Sequence, residues 1–416
     1  MMSKMSLAAL FAQRRSEFPG LTGDLVHLNN GAGSEMPERA ITAMAAYTRS
    51  GLSNEGKIFP RQQDSFELRT ETHQATAELI GASAEEVGLG ANTTTNLFSV
   101  SRSLARLWKP GDRVLVSEAC HEANIAPWLA LRDQGISVDF IPMLPDTHLD
   151  YAWLEHNLDR RTRLVTFGAS SNATGTMHDL ERVISLARRA SALVSLDAAH
   201  FAPHQPIDVA KLDIDLLFFS IYKCFGPHLG AFYIRRELLQ TLVPFSADPG
   251  VSGSRTASHF ETGTRSFEAY AGWLGALAYL TDLGRAAGAS ATEGAPTRRD
   301  ALSAALRAIA AWEAELTQYG DARLAEVPGI VAYRQSPVDR RARVGVLSFN
   351  LRGRDPLEVA RALERAGIEA AVGNNGAVRT MTLLAGDFGG IALRLSLAHY
   401  NTKADLDAAI ECLLAA

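Results

Sequence analysis

The sequence predicts an α/β fold, with a large domain on a mainly parallel, seven-stranded-type sheet and a smaller α+β domain after it. Three observations carry this expectation. Short apolar runs alternate with amphipathic helical stretches from about residue 60 to 280. That alternation stops beyond a Gly/Ala/Ser-rich connector at 284–295. The length, 416 residues, suits two domains of ordinary size.

In order along the chain, Glu86-Val87-Gly88-Leu89 leads into a helix at 96–107. Arg113-Val114-Leu115-Val116-Ser117 predicts a buried strand, followed by a helix around 125–134. Ser137-Val138-Asp139-Phe140-Ile141, Leu164-Val165-Thr166-Phe167 and Leu193-Val194-Ser195-Leu196-Asp197 repeat the theme. Leu216-Leu217-Phe218-Phe219-Ser220 and Ala231-Phe232-Tyr233-Ile234 follow at shorter spacing. Such strands belong to a sheet covered on both faces, and ligands collect in the loops at its carboxyl edge. After the connector the pattern predicts a helix at 302–316, a strand at 344–349 and a helix at 357–365. Strands near 378–380 and 392–396 follow, then a closing helix at 404–414. The expected division is 25–285 for the large domain and 286–416, joined by 1–24, for the small one.

Composition narrows the function. The apolar fraction is 47% and the charged fraction 21%, the balance of a globular enzyme. Lysine and arginine number 41 against 46 acids, a formal charge of −5, which opposes binding to nucleic acid or an anionic membrane. The pairs Arg160/Arg161, Arg188/Arg189 and Arg298/Arg299 are scattered and predict solvated faces. No apolar run reaches the ~18 residues of a membrane span, and Met1-Met2-Ser3-Lys4-Met5 lacks an export signal. Cys120, Cys224 and Cys412 have neither disulfide-scaffold nor zinc spacing. The expectation is a soluble cytoplasmic protein.

Two glycine motifs carry little. Gly51-Leu52-Ser53-Asn54-Glu55-Gly56-Lys57 begins like a phosphate-binding loop, but Ile58 stands where a magnesium-holding hydroxyl is required. Gly88-Leu89-Gly90 lacks the third glycine of a dinucleotide fingerprint. No metal site is expected. His200 and His204 are four apart, but Pro203 between them argues against one helix face.

The informative pair is Asp197, at the end of one predicted strand, and Lys223, at the end of another within Phe218-Phe219-Ser220-Ile221-Tyr222-Lys223-Cys224-Phe225. Pyridoxal phosphate chemistry needs a lysine for the Schiff base and an aspartate that keeps the pyridine nitrogen protonated. A lysine at a strand end is ordinarily a solvated charge. The aromatic surroundings of Lys223 would desolvate it and favour the free amine.

With these residues in view, the sequence resembles the class V aminotransferases among fold-type I pyridoxal phosphate enzymes, the group of cysteine desulfurases, selenocysteine lyases and isopenicillin N epimerases. The resemblance runs from His27-Leu28-Asn29-Asn30 to Tyr400-Asn401-Thr402, with Tyr222-Lys223 and Gly226-Pro227-His228 among its motifs. It implies that Lys223 holds the cofactor, Asp197 pairs with the pyridinium and His121 stacks on the ring. It places Asn172 and His200 around the ring hydroxyl, and Ser220, Asn92 and Thr93 at the phosphate. Thr264, in Glu261-Thr262-Gly263-Thr264, would reach the phosphate of a neighbouring subunit, which implies a homodimer with the active site at its interface. Arg394 would grip the substrate carboxylate, and Asn29 and Asn54 are further substrate-side candidates. Each has an ordinary structural reading as well: His121 as a helix-start cap, Arg394 as an ion-pair partner, Thr264 as a turn residue.

The sequence departs from the desulfurase pattern in two places. The loop before the arginine reads Gly373-Asn374-Asn375-Gly376-Ala377, with no cysteine to accept sulfur. Tyr222 stands where a histidine usually precedes the lysine; its phenol either shuttles a proton or packs against the ring. The expected reaction is β-elimination from a cysteine S-conjugate, a C–S lyase passing through the Lys223 aldimine and a quinonoid. Transamination, epimerisation, decarboxylation and oxidative deamination would draw on the same residues. A non-catalytic binding module is the reading from a different class, and the presence of Lys223, Asp197 and Arg394 together argues against it.

Overall fold

Continuous apolar runs form the interior of the molecule in a computed structural model, which describes residues 6–21, 23–51, 53–290, 295–334 and 343–415. The starting residues 1–5, Leu52 of the phosphate-loop-like motif and residues 291–294 of the connector lie outside the described set. The strands are β1 (Val26–His27), β2 (Val87–Gly90), β3 (Arg113–Ser117), β4 (Ser137–Ile141), β5 (Thr162–Gly168), β6 (Leu193–Asp197), β7 (Leu216–Ser220) and β8 (Gly230–Ile234). They continue with β9 (Ile330–Ala332), β10 (Val346–Leu351), β11 (Ile368–Glu369), β12 (Ala371–Gly373) and β13 (Ala392–Ser396).

Seven of them make the large sheet in the order β2-β8-β7-β6-β5-β3-β4. β4, β3, β5, β6 and β7 run parallel, while β8 is antiparallel to both β7 and β2. Every residue of β3, β7 and β8 is buried, as expected of strands covered on both faces. A second, antiparallel sheet has the order β12-β13-β10-β9. β1 pairs in parallel with β11, and Asn29 bridges to Ser396, so residues 26–30 lie against the C-terminal strands. Among the described residues no helix is long and apolar enough to cross a membrane.

The structure departs from the sequence expectation in several places. The segment expected as a strand near 378–380 is helical, Val378–Leu384. Thr380 and Met381 are buried within it, and the cap residues Ala377 and Ala385, four positions to either side of Met381, are buried too, a spacing that a three-residue window cannot reveal. The helix expected around 125–134 is a short α-helix, Ala126–Leu129, followed by the 3₁₀ turn Ala130–Gln134. The helix after β2 begins at Thr93 rather than Asn96, because Asn92 caps it by accepting from the Thr95 amide at 2.8 Å. Thr297 caps a helix that runs Arg298–Leu324, longer than the 302–316 expected. Lys223 does not end a strand: β7 stops at Ser220 and the lysine closes the 3₁₀ turn Ile221–Lys223.

Candidate active site

The carboxyl edge of the large sheet gathers the chemistry-bearing side chains. Asp197 is the last residue of β6, Ser220 the last of β7, and Lys223 follows on the next turn. His121 lies beyond β3 and Asn172 beyond β5. These residues line one cavity with Thr93, Thr94, Cys120, Ser170, His200 and Tyr222. A parallel sheet delivers all its carboxyl ends to one side, which is why residues so far apart in sequence converge.

Burial shapes the ionisation of this cavity. Burial, and then the Arg394 cation, pull the Lys223 ammonium down to about 8 against an opposing pull from Asp197. Asp197 is itself pushed up by burial, countered by the Ala199 amide that donates to Oδ1 at 2.9 Å and by Lys223. Burial lowers His121 to about 4, helped by Lys223 and Arg394, so its imidazole is neutral. Its Nδ1 accepts from the Ala123 amide at 3.0 Å, which leaves the proton on Nε2. His121 is therefore both a cap and a cavity wall. His200 is buried, with neither ring nitrogen hydrogen-bonded, and its ring lies 5.4 Å from that of His204.

At the other end of the cavity Thr93 Oγ1 and Ser220 Oγ share a hydrogen bond of 2.7 Å, and burial raises the pKa of the Tyr222 phenol, a rise that Ser220 tempers. The Tyr222 ring stacks on His228 at 4.9 Å. These hydroxyls stand where the helix Thr93–Ala105 begins, a combination that suits a phosphate.

Arg394, from β13, is buried, and burial lowers its guanidinium to about 10. Nη1 donates to the Asn172 carbonyl at 3.0 Å; no carboxylate among the described residues forms an ion pair with it. A side chain on Gly31 would meet His200 Nε2 at 2.7 Å and Arg394 Nη2 at 2.9 Å, so Gly31, His200 and Arg394 form one wall.

Some expected residues stand elsewhere. Asn92 turns its side chain to the helix cap and lines a neighbouring groove with Thr262. Asn54 and Thr264 line a separate cavity with Arg69 and Arg265. Asn29 reaches Glu369 Oε1 at 3.5 Å and lines no part of the Lys223 cavity. Sequence reasoning missed Gly31, Thr94 and Ser170, whose hydroxyl donates to the His200 carbonyl at 2.9 Å. For Thr94 and Ser170 the signal was position alone, at the edge where ligands gather.

Comparison with known proteins bears on this geometry. The family model for aminotransferase class-V matches residues 26–409. The chain belongs to that family. A cysteine desulfurase of Pectobacterium atrosepticum is 30% identical over 414 residues, covering 94% of each chain. The solved structure of the cysteine desulfurase CsdA from Escherichia coli has a TM-score of 0.80 and 28% identity, covering 97% of each chain. The cystine C-S lyase C-DES, solved with its product cysteine persulfide, is alike in fold: TM-score 0.78, 22% identity, 95% of this chain and 99% of its own.

A class-V enzyme takes pyridoxal phosphate as cofactor, and the cavity residues fit that group on their own chemistry. Asp197 is a buried carboxylate whose environment lacks a full counter-charge, the place for a protonated ring nitrogen. His200 offers two unpaired nitrogens, and the Thr93–Ser220–Tyr222 hydroxyls offer a phosphate cup.

Proposed function

We propose that this class-V enzyme is a C–S lyase that performs β-elimination on a cysteine S-conjugate. One observation carries the reading: the loop at 373–377 has no cysteine, and no cysteine elsewhere in the chain is poised as a thiolate to accept sulfur. The loop from β12 to the next helix, Gly373-Asn374-Asn375-Gly376-Ala377, contains none. Cys120 lines the cavity, but burial, reinforced by Asp197, holds its thiol near 12. Burial likewise pushes Cys224 up, and Cys412 sits on the closing helix Lys403–Ala415. Sulfur acceptance needs a thiolate, and these groups resist becoming one.

On this reading, bound pyridoxal phosphate supplies an electron sink for the charge left when a proton leaves the substrate α-carbon. Lys223, whose free amine is favoured by a pKa lowered to about 8, would hold the cofactor and would carry that proton. Asp197 holds the ring nitrogen, and His121 packs on the ring as a neutral imidazole. Asn172 and His200 hold the ring hydroxyl; Ser220 and Thr93 hold the phosphate, and Asn92 serves it indirectly by capping the helix that begins there. Arg394 binds the substrate carboxylate through its fork of donors. Asn54, which shares the cavity of Thr264, would serve the substrate side of the second copy. Asn29 stands outside the Lys223 cavity beside Glu369 and would act on the substrate side only from that distance. Thr264 completes the phosphate site of a second copy, making a homodimer. Residues 25–285 hold the cofactor, and residues 286–416, with 1–24, carry Arg394. The substrate and one water yield a thiol, pyruvate and ammonium, with the sulfur leaving unattached to the protein.

The test is to incubate the holoenzyme with L-cysteine and a panel of cysteine S-conjugates, quantifying pyruvate, free thiol and protein-bound persulfide. Equal pyruvate and thiol support elimination. Alanine together with a protein persulfide returns the desulfurase reading. Cofactor left in its amine form selects transamination.

A further inference from the structure

The loop that carries no cysteine is tied down at several points. Gly376 accepts from the Glu122 amide at 2.7 Å, and the Asn375 carbonyl accepts from Asn172 Nδ2 at 2.7 Å. Inside the loop, Asn374 Oδ1 accepts from the Gly376 amide at 3.0 Å, and the Asn374 carbonyl from the Ala377 amide at 2.9 Å. Just beyond, Arg379 lies 3.6 Å from Glu122 and 4.0 Å above the Phe140 ring. The loop thus meets the two segments that present His121 and Asn172 to the cavity.

Gly376 is at the centre of this contact. Its φ is +70°, and a Cβ there would stand 2.2 Å from His121 Nε2, 2.7 Å from Cδ2 and 2.9 Å from Cε1. The far edge of the imidazole occupies the space a side chain would need. The cap at the near edge, Nδ1 to the Ala123 amide, prevents the ring from swinging away without losing a hydrogen bond. From this geometry we infer that Gly376 is a positioning residue for His121, acting by the absence of a side chain. The loop at 374–377 is a fixed roof whose backbone carbonyls also set Glu122 and Asn172.

The inference rests on the assignment of His121 to the cofactor, and its test separates the two. Gly376→Ala, His121→Ala and the double variant are compared with wild type by pyridoxal phosphate affinity and by the visible circular dichroism of the bound cofactor. Gly389→Ala is the control for backbone strain: its φ is +65°, and nothing stands within 4 Å of its Cβ position. The expected result is weaker cofactor binding by about tenfold in each single variant, and no further loss in the double. Gly389→Ala keeps wild-type affinity and dichroism. If the two losses multiply, or Gly389→Ala matches Gly376→Ala, the positioning role is overturned. If His121→Ala leaves both readouts unchanged, the assignment of His121 itself falls, and the inference with it.

Discussion

Thr93 and Ser220 are joined by a hydrogen bond of 2.7 Å between their hydroxyls, although 127 residues separate them in sequence. The Tyr222 phenol lines the same cavity, and burial raises its pKa, a rise that Ser220 offsets in part. This relationship favours a supporting role at the phosphate over a proton shuttle at the substrate. Tyr222→Phe should therefore weaken cofactor binding several-fold and leave kcat at saturating cofactor within about threefold of wild type, since one neutral hydrogen bond contributes roughly 1 kcal/mol. Cofactor titration and steady-state kinetics on one preparation check this. A hundredfold fall in kcat would restore the shuttle.

Lys223 should make the pH dependence of cofactor attachment visible. Its folded pKa, near 8, lies below the ordinary 10.5, so the free amine predominates above about pH 8. The rate at which cofactor-free protein recaptures pyridoxal phosphate should rise through that value. Arg394→Gln removes a cation that helps depress the lysine, so the midpoint should move upward. Stopped-flow absorbance across pH 6–10 is the measurement, on the order of four units of range. Lys223→Ala should abolish borohydride-reducible attachment of the cofactor to the protein.

Gly31 should prove intolerant for a reason distinct from folding. Its Cβ position lies against His200 Nε2 and Arg394, so Gly31→Ala should displace the guanidinium and raise KM for the amino acid about a hundredfold. Cofactor affinity should fall as well, because the same Cβ meets His200 Nε2, the group assigned to the ring hydroxyl. An unaltered KM would separate Gly31 from the substrate wall.

Much of the lining of the Lys223 cavity was legible in the sequence because its residues lie at or just past the ends of strands whose apolar runs are unmistakable. Asp197 closes β6 and Ser220 closes β7, where the sequence placed those strands. The rest depends on space rather than residue type. Nothing in Gly31 or Gly376 advertises that its missing side chain is filled by His200 and Arg394 or by His121. Nor can a reading by strand and helix show that the helix Val378–Leu384 hangs on the Glu118 carbonyl through Thr380. Helical period needs more than the three residues the strand expectation rested on.

Glu261 anchors the loop bearing Thr264 and should matter for stability. Its buried carboxylate accepts from His73 Nε2 at 2.6 Å and the Leu89 amide at 2.8 Å, and it pairs with Arg265. Burial alone would raise its pKa, but His73 and Arg265 outweigh burial and hold it below the usual 4.5. Because the folded pKa is depressed, this stabilisation is complete above pH 4.5 and is lost as acid protonates the carboxylate. Glu261→Gln should cost about 3–5 kcal/mol at neutral pH, read as a lower urea midpoint. The penalty should shrink in acid.

If elimination is the reaction, sulfur never bonds to the protein. Changing Cys120, Cys412 and Cys224 to serine, serine and alanine should preserve most C–S cleavage, with alanine chosen at Cys224 because that side chain is packed. Mass spectrometry of the turning-over enzyme should find no persulfide. An essential cysteine would overturn the lyase.

The pairing of β1 with β11 has a consequence for how the protein is born. Val26 and His27 meet Ile368 and Glu369, and the His27 carbonyl accepts from Asn401 Nδ2 at 2.9 Å. Emerging from the ribosome, residues 26–30 must wait for partners made more than three hundred residues later. The sheet that presents Asp197 and Lys223 can assemble in the meantime, since its last strand, β8, is finished by Ile234. Arg394, on β13, and the wall it shares with Gly31 arrive more than 150 residues after β8. A nascent chain on this schedule can form the sheet that carries Asp197 well before the loop at 374–377 reaches His121 and Asn172 and before Arg394 is made, so both the roof and the guanidinium join a scaffold already in place.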